Sequence, residues 1–227
     1  MANRPGLSAW LSEADSILRG EPGPSGGDRT WRRLAGSILA CGLFYGAVMG
    51  SFGGISGGRA LMVAYSAVKV PLLLLATLLL SLPSFFVFHT LLGVRADFAE
   101  AVRGVLGSQA GLTIILASLA PITATWYASS SDYRTAILFN ATMFGLASLA
   151  AQVVLRRAYR PLIARNPVHR LLLIAWIIVY AFVGIQMGWV LRPFIGNPAQ
   201  PVQFLRPDGW DNAYVVVARM IWEVVAR

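Results

Sequence analysis

The chain has 227 residues, of which 56% are hydrophobic and only 13% charged, about half the roughly 25% charged content usual in soluble domains. So few charges cannot cover a soluble core of this size. The net charge of +9 comes from arginines that flank apolar stretches, where lipid headgroups and membrane orientation account for them. No basic stripe interleaved with aromatics points to nucleic acid. Cys41 is the only cysteine, so no disulfide forms within the chain.

Residues 1–33 read as an N-terminal arm. They lack the apolar run of a signal peptide, so insertion is expected through the first span. Leu7, Trp10, Leu11, Ala14, Ile17 and Leu18 recur at spacings of three and four, which makes one apolar helical face. Glu13, Asp15 and Arg19 occupy the rest. The segment 20–28, GEPGPSGGD, reads as a helix breaker and hinge.

A membrane span needs about 20 mostly apolar residues. Five windows without a formal charge qualify, at Leu34–Gly54, Pro71–Leu92, Gly104–Tyr127, Thr135–Leu155 and Leu171–Leu191. The predicted fold is therefore all-α, a polytopic membrane helical bundle of about five transmembrane helices over residues 34–192, with short interfacial amphipathic helices. Trp31, Trp126, Tyr127 and Trp189 stand at span ends as interfacial anchors. Gly58–Lys69 is apolar on one side but interrupted by Arg59 and Lys69, so it reads as an interfacial helix before the second span. Pro83 and Pro121 lie within spans and should kink them. The last segment, 193–227, reads as a tail with prolines at 193, 198, 201 and 207. Its stripe of Tyr214, Val217, Ala218, Ile221, Val224 and Val225 opposes Arg219 and Glu223, with Asp211 or Asn212 as N-cap.

With the N-terminus inside, twelve of the nineteen basic residues fall in inner segments, and the loop RRAYRPLIARNPVHR is the strongest inside signal. The expectation is a cell membrane protein of the bacterial inner membrane, N-terminus cytoplasmic and C-terminus outside.

Gly42, Gly46, Gly50 and Gly54 recur every fourth position of the first span and would make a flat groove for another backbone. Two readings stay open for this face: packing against a helix of the same chain, or a homo-oligomer or membrane-protein partner. Uncharged polar residues in the spans sort into two layers. His89, Gln109 and Gln152 lie near the inner end, Asn140 and Gln186 near the outer. They read either as hydrogen-bonded glue between helices or as a pocket for a polar substrate or lipid headgroup. His89 is the one ionisable group in the spans, which disfavours ion-coupled transport. Gly54-Ile55-Ser56-Gly57 matches a serine-protease pattern of intramembrane enzymes, but His89 and His169 belong to the opposite side, so the serine has no base. Two distant histidines and one thiol make no metal ligand set. No catalytic residue, cofactor or metal is predicted.

The layout resembles the Yip family of polytopic membrane proteins. The likeness is carried by the helical arm, Trp31 before the glycine-rich LAGSILACGLFYGAVMG, a proline-led second span closing on His89-Thr90-Leu91-Leu92-Gly93, and Leu119-Ala120-Pro121 closing the third. The resemblance implies five spans, an outer C-terminus and a role in organising membranes. The acidic DLYGP-type motif of the eukaryotic members is absent, so GTPase binding is not carried over. The expected function is thus a non-enzymatic scaffold or regulator of membrane components, with a permease-like subunit or passive carrier using the polar layers as the alternative.

Overall fold

The computed structural model describes residues 7–20, 28–197, 200–206, 213–215 and 222. Six α-helices follow in order: α1 (Leu7–Arg19), α2 (Asp28–Gly50), α3 (Ala60–Leu91), α4 (Phe98–Ser129), α5 (Tyr133–Arg165) and α6 (Val168–Val190). Short 3-10 turns, Gly57–Arg59 and Arg95–Asp97, precede α3 and α4, and the described residues contain no strand. The five helices after α1 are all long and apolar enough to cross a membrane. At 32 residues, α3 and α4 each reach about 48 Å at 1.5 Å per residue, well beyond a hydrocarbon layer of about 30 Å.

The helices outrun the uncharged windows, and packing explains why. Lys69 does not mark an interfacial segment that stops before Pro71. One helix runs from Ala60 through Pro71 to Leu91, because Met62, Ser66 and Lys69 are buried and continue the inward face of the span. The fourth span likewise continues ten residues past Leu155. Ala151, Leu155, Tyr159 and Leu162 recur at helical spacing and all are buried, so Arg156 and Arg160 between them occupy the outer face, while Arg157 turns toward α1. The helices run on through Pro83, Pro121 and Pro161. Trp31 lies within α2 rather than ahead of it.

In the bundle, α2 packs between α3 and α4, α5 lies on the other side of α4, and α6 lies against α3. The circuit is nearly open where α5 faces α6. The α1 helix lies across α4 and α5 at the end where α2, α4 and α6 begin. It tucks Ala14 and Ile17 inward and leaves Trp10 and Leu11 exposed. The exterior of the spans is apolar, with Leu79, Leu138, Leu149 and Ile178 each more than 60% exposed. A surface of that kind fits lipid, not water. The predicted C-terminal amphipathic helix lies, apart from 213–215 and Trp222, outside the described residues.

Candidate functional site

The glycine stripe of α2 meets α3 of the same chain. A Cβ on Gly46 would stand 2.8 Å from the Ala67 Cα, and one on Gly50 2.8 Å from the Val63 Cα. Pro71 sits against Gly42 at 3.4 Å. Pro71 also has no N–H for the Ala67 carbonyl one turn back, and a Cβ on Gly46 would lie 3.0 Å from that oxygen, with the Ser66 carbonyl oxygen nearer still. Bare backbone at Gly46 therefore covers a carbonyl that proline leaves without its helical partner. Gly54 does not belong to the face. α2 ends at Gly50, and Gly54 adopts φ +109° with open space around it, serving the turn instead.

The α5–α6 seam is the opposite kind of contact. α6 buries only His169, Leu172, Leu173 and Trp176, all in its first three turns. Beyond them, two cavities lie along the seam. The larger, about 470 Å³, is at the far end from α1. Ile137, Ala141 and Phe144 of α5 and Trp189 of α6 line it, Asn140 is its one uncharged amide, and Arg192 and Arg206 join its wall. The smaller, about 290 Å³, is nearer α1, with Gln109, Gln152 and Tyr180 among apolar neighbours. Gln109 Nε2 donates to the Tyr180 hydroxyl at 3.0 Å. The Oε1 atoms of Gln109 and Gln152 are buried and have no hydrogen-bond partner. Buried amide oxygens cost free energy when unsatisfied, so these two acceptors beside the cavity wall are the polar groups with capacity to spare.

Asn140 is well satisfied. Its Oδ1 accepts from the Tyr45 hydroxyl at 3.2 Å, and its Nδ2 donates to the Tyr127 hydroxyl at 2.6 Å and the Ala136 carbonyl at 2.8 Å. This ties α2, α4 and α5 together behind the larger cavity. Gln186 stands apart from Asn140; its Oε1 accepts from the backbone of Ala213 at 3.0 Å and so holds the tail.

The tail latch is a site that the linear pattern misses. Three consecutive carbonyls are taken up by side chains of the bundle. Lys69 Nζ donates to Pro193 at 2.6 Å, Ser66 Oγ to Phe194 at 2.5 Å and the Tyr133 hydroxyl to Ile195 at 3.4 Å. Lys69 is wholly buried, no carboxylate pairs with it among the described residues, and the Phe204 ring lies 4.9 Å from its ammonium. A buried cation is costly unless such partners compensate it. The latch thereby closes one side of the larger cavity.

His89 and His169, eighty positions apart in the chain, have ring centroids 6.0 Å apart at the α1 end, away from the exposed Ser56. Both are fully buried. His89 Nδ1 lies 2.9 Å from the Phe85 carbonyl, which can only accept, so Nδ1 carries the proton. His169 Nε2 lies 2.9 Å from Asp97 Oδ2, and Arg165 approaches the other oxygen, Asp97 Oδ1, at 3.6 Å. Among the described residues His89 Nε2 and His169 Nδ1 have no hydrogen-bond partner. The two residues are thus not distant, although His89 does not share a cavity with Gln109 and Gln152. No sequence signal joins them; the turn at Arg95–Asp97 does, by bringing Asp97 beneath α6. No group of three or more metal-ligating side chains is found among the described residues.

Comparison with family models, with curated proteins and with solved structures finds no match.

Proposed function

We propose that the chain is a non-enzymatic, multi-pass membrane protein that organises membrane components, and that the component it handles is a lipid-type amphipath seated between α5 and α6. Five long apolar helices with an apolar exterior support the membrane setting. The arginine excess around the α1 end supports a cytoplasmic N-terminus with the tail outside. The five-span order with a glycine-rich first span supports kinship in architecture with Yip-type proteins. The observation that carries the reading is the pair of cavities along one seam, each with mostly apolar lining and an amide-bearing residue. Acyl chains fit such walls, and the unpartnered amide oxygens of Gln109 and Gln152 suit a donor such as a headgroup hydroxyl or ammonium.

The experiment is native mass spectrometry of the chain purified from its own membranes into nanodiscs. One or two retained lipids are expected on the wild type, with loss of the more tightly held one in Ala141→Trp, which fills the larger cavity from α5. A wild-type chain that retains no lipid overturns the reading. A passive carrier is the second reading, favoured by polar groups at two depths of the same seam. It requires that purified chain in liposomes move a labelled lipid between leaflets and that Ala141→Trp stop it.

A further inference from the structure

A third cavity, separate from the seam, lies beneath α1 between α2, α4 and α5, with a volume of about 390 Å³. Its apolar wall includes Ile17, Leu34 and Val154; its charged wall is Arg33, Arg103, Arg157 and Glu100. The carboxylates nearby are already engaged. Glu13 holds Arg33 at 2.8 Å, and Glu100 is paired with Arg165. Arg103 and Arg157 have no carboxylate among the described residues. The Arg103 guanidinium lies 5.7 Å from the Trp31 ring, and its Nε is buried without a hydrogen-bond partner. Among the described residues Arg157 donates only to the Leu18 carbonyl, at 3.4 Å. The cavity wall also carries Gly107, where a Cβ would meet nothing within 4 Å, so bare helix backbone faces open volume.

We infer that this cavity is a phosphate site, and that the phosphate is the headgroup of an anionic phospholipid. A guanidinium with a buried, unpartnered N–H is a donor in search of an acceptor, and phosphate oxygens match the geometry of its fork. The position argues for a lipid as the source. Leu34, Gly104 and Val154 are where charged segments give way to apolar spans, which is headgroup depth, and the apolar wall continues from the arginines toward the hydrocarbon. The α1 helix, with Trp10 and Leu11 exposed, lies over the cavity as an interfacial helix would.

The inference rests on the membrane setting proposed above but not on the seam. Its test is native mass spectrometry of the full chain in nanodiscs of phosphatidylcholine doped with phosphatidylglycerol. Wild type is expected to retain one phosphatidylglycerol in preference to phosphatidylcholine. Arg103→Gln and Arg157→Gln should each weaken that preference about fivefold, on the scale of about 1 kcal/mol per arginine at a membrane surface. Gly107→Leu keeps every charge, starts from a position where a Cβ meets nothing within 4 Å, places its side chain in the cavity and should abolish the preference while helix content by circular dichroism is unchanged. A parallel arm adds inorganic phosphate to discs of phosphatidylcholine alone. Phosphate retained there and lost in Gly107→Leu supports the site with a soluble source. Absence of both preferences, or a phosphatidylglycerol preference that survives Gly107→Leu, overturns it. Ala141→Trp leaves this cavity intact, so failure of the seam reading is separately visible.

Discussion

The α2–α3 and α5–α6 contacts use helices of similar apolarity and reach opposite results. On α2, small residues recur every fourth position and stand opposite Ser66, Ala67 and Val63, so two backbones meet with nothing between them. On α6 the buried residues stop at Trp176, and from there large residues (Ile177, Tyr180, Ile185, Trp189) alternate with Ala181 and Gly184 along a seam that holds two cavities. Within lipid there is no hydrophobic drive to close such a seam, since a lipid tail is as apolar as a leucine; only close packing and hydrogen bonds hold helices together. Shape, not hydropathy, separates the rigid pair from the accessible one.

The sharpest way to break the contrast is to spoil the tight side. Gly46→Leu forces a side chain into the Ala67 backbone and should cost about 3 kcal/mol or more, seen as loss of the monodisperse peak in detergent size-exclusion chromatography. Gly145→Leu, on α5 where nothing lies within 4 Å, should leave that peak unchanged. If both variants behave alike, the difference between the two contacts is not one of packing.

The next effect is at the latch. Lys69→Met keeps the stem but takes the donor from Pro193 and the cation from Phe204, a loss of about 1.5–3 kcal/mol for a charge-assisted bond. Limited proteolysis should then cut between residues 193 and 206 at least tenfold faster, with the bundle itself intact. Asn140→Leu is smaller. It removes the amide shared by Tyr45 and Tyr127, each such bond being worth about 1 kcal/mol in lipid, and should lower the melting temperature without closing the seam.

The smallest effect is at the start of α5. Asp132 caps the helix, accepting from the Thr135 amide at 3.0 Å and from its hydroxyl. These bonds, the hydroxyl's first, hold the carboxyl below its ordinary value. The cap therefore contributes fully above the ordinary carboxylate range and is lost as the pH falls through the lowered folded value. The protection factor of the Thr135 amide, its exchange rate corrected for the intrinsic dependence on pH, should fall on that acid side in the wild type. Asp132→Asn, also a good cap, should remove the pH dependence.

Five helices long and apolar enough to cross a membrane were legible because a charge-free run of that length has few alternatives, and the α1 face because its spacing is helical. The span ends were not. A charged residue reads as an end, whereas Lys69 is buried by partners more than a hundred residues away, and the arginines around Tyr159 ride on a helix held by its apolar side. The glycine stripe was legible as a close-packing face, but its occupant depends on Pro71 and Ala67 arriving in register. The pairing of His89 with His169 had no local signal at all, because a turn in a third segment makes it.

Lys69 is the only lysine in the chain, and it is enclosed by the tail it holds. An amine-reactive reagent therefore finds no accessible side-chain amine while the latch is shut. The rate at which such a reagent modifies Lys69 is a built-in clock for tail opening, readable by mass spectrometry on the unaltered protein. If a molecule leaving the larger cavity must pass the tail, that rate will rise and fall with the occupancy of the seam.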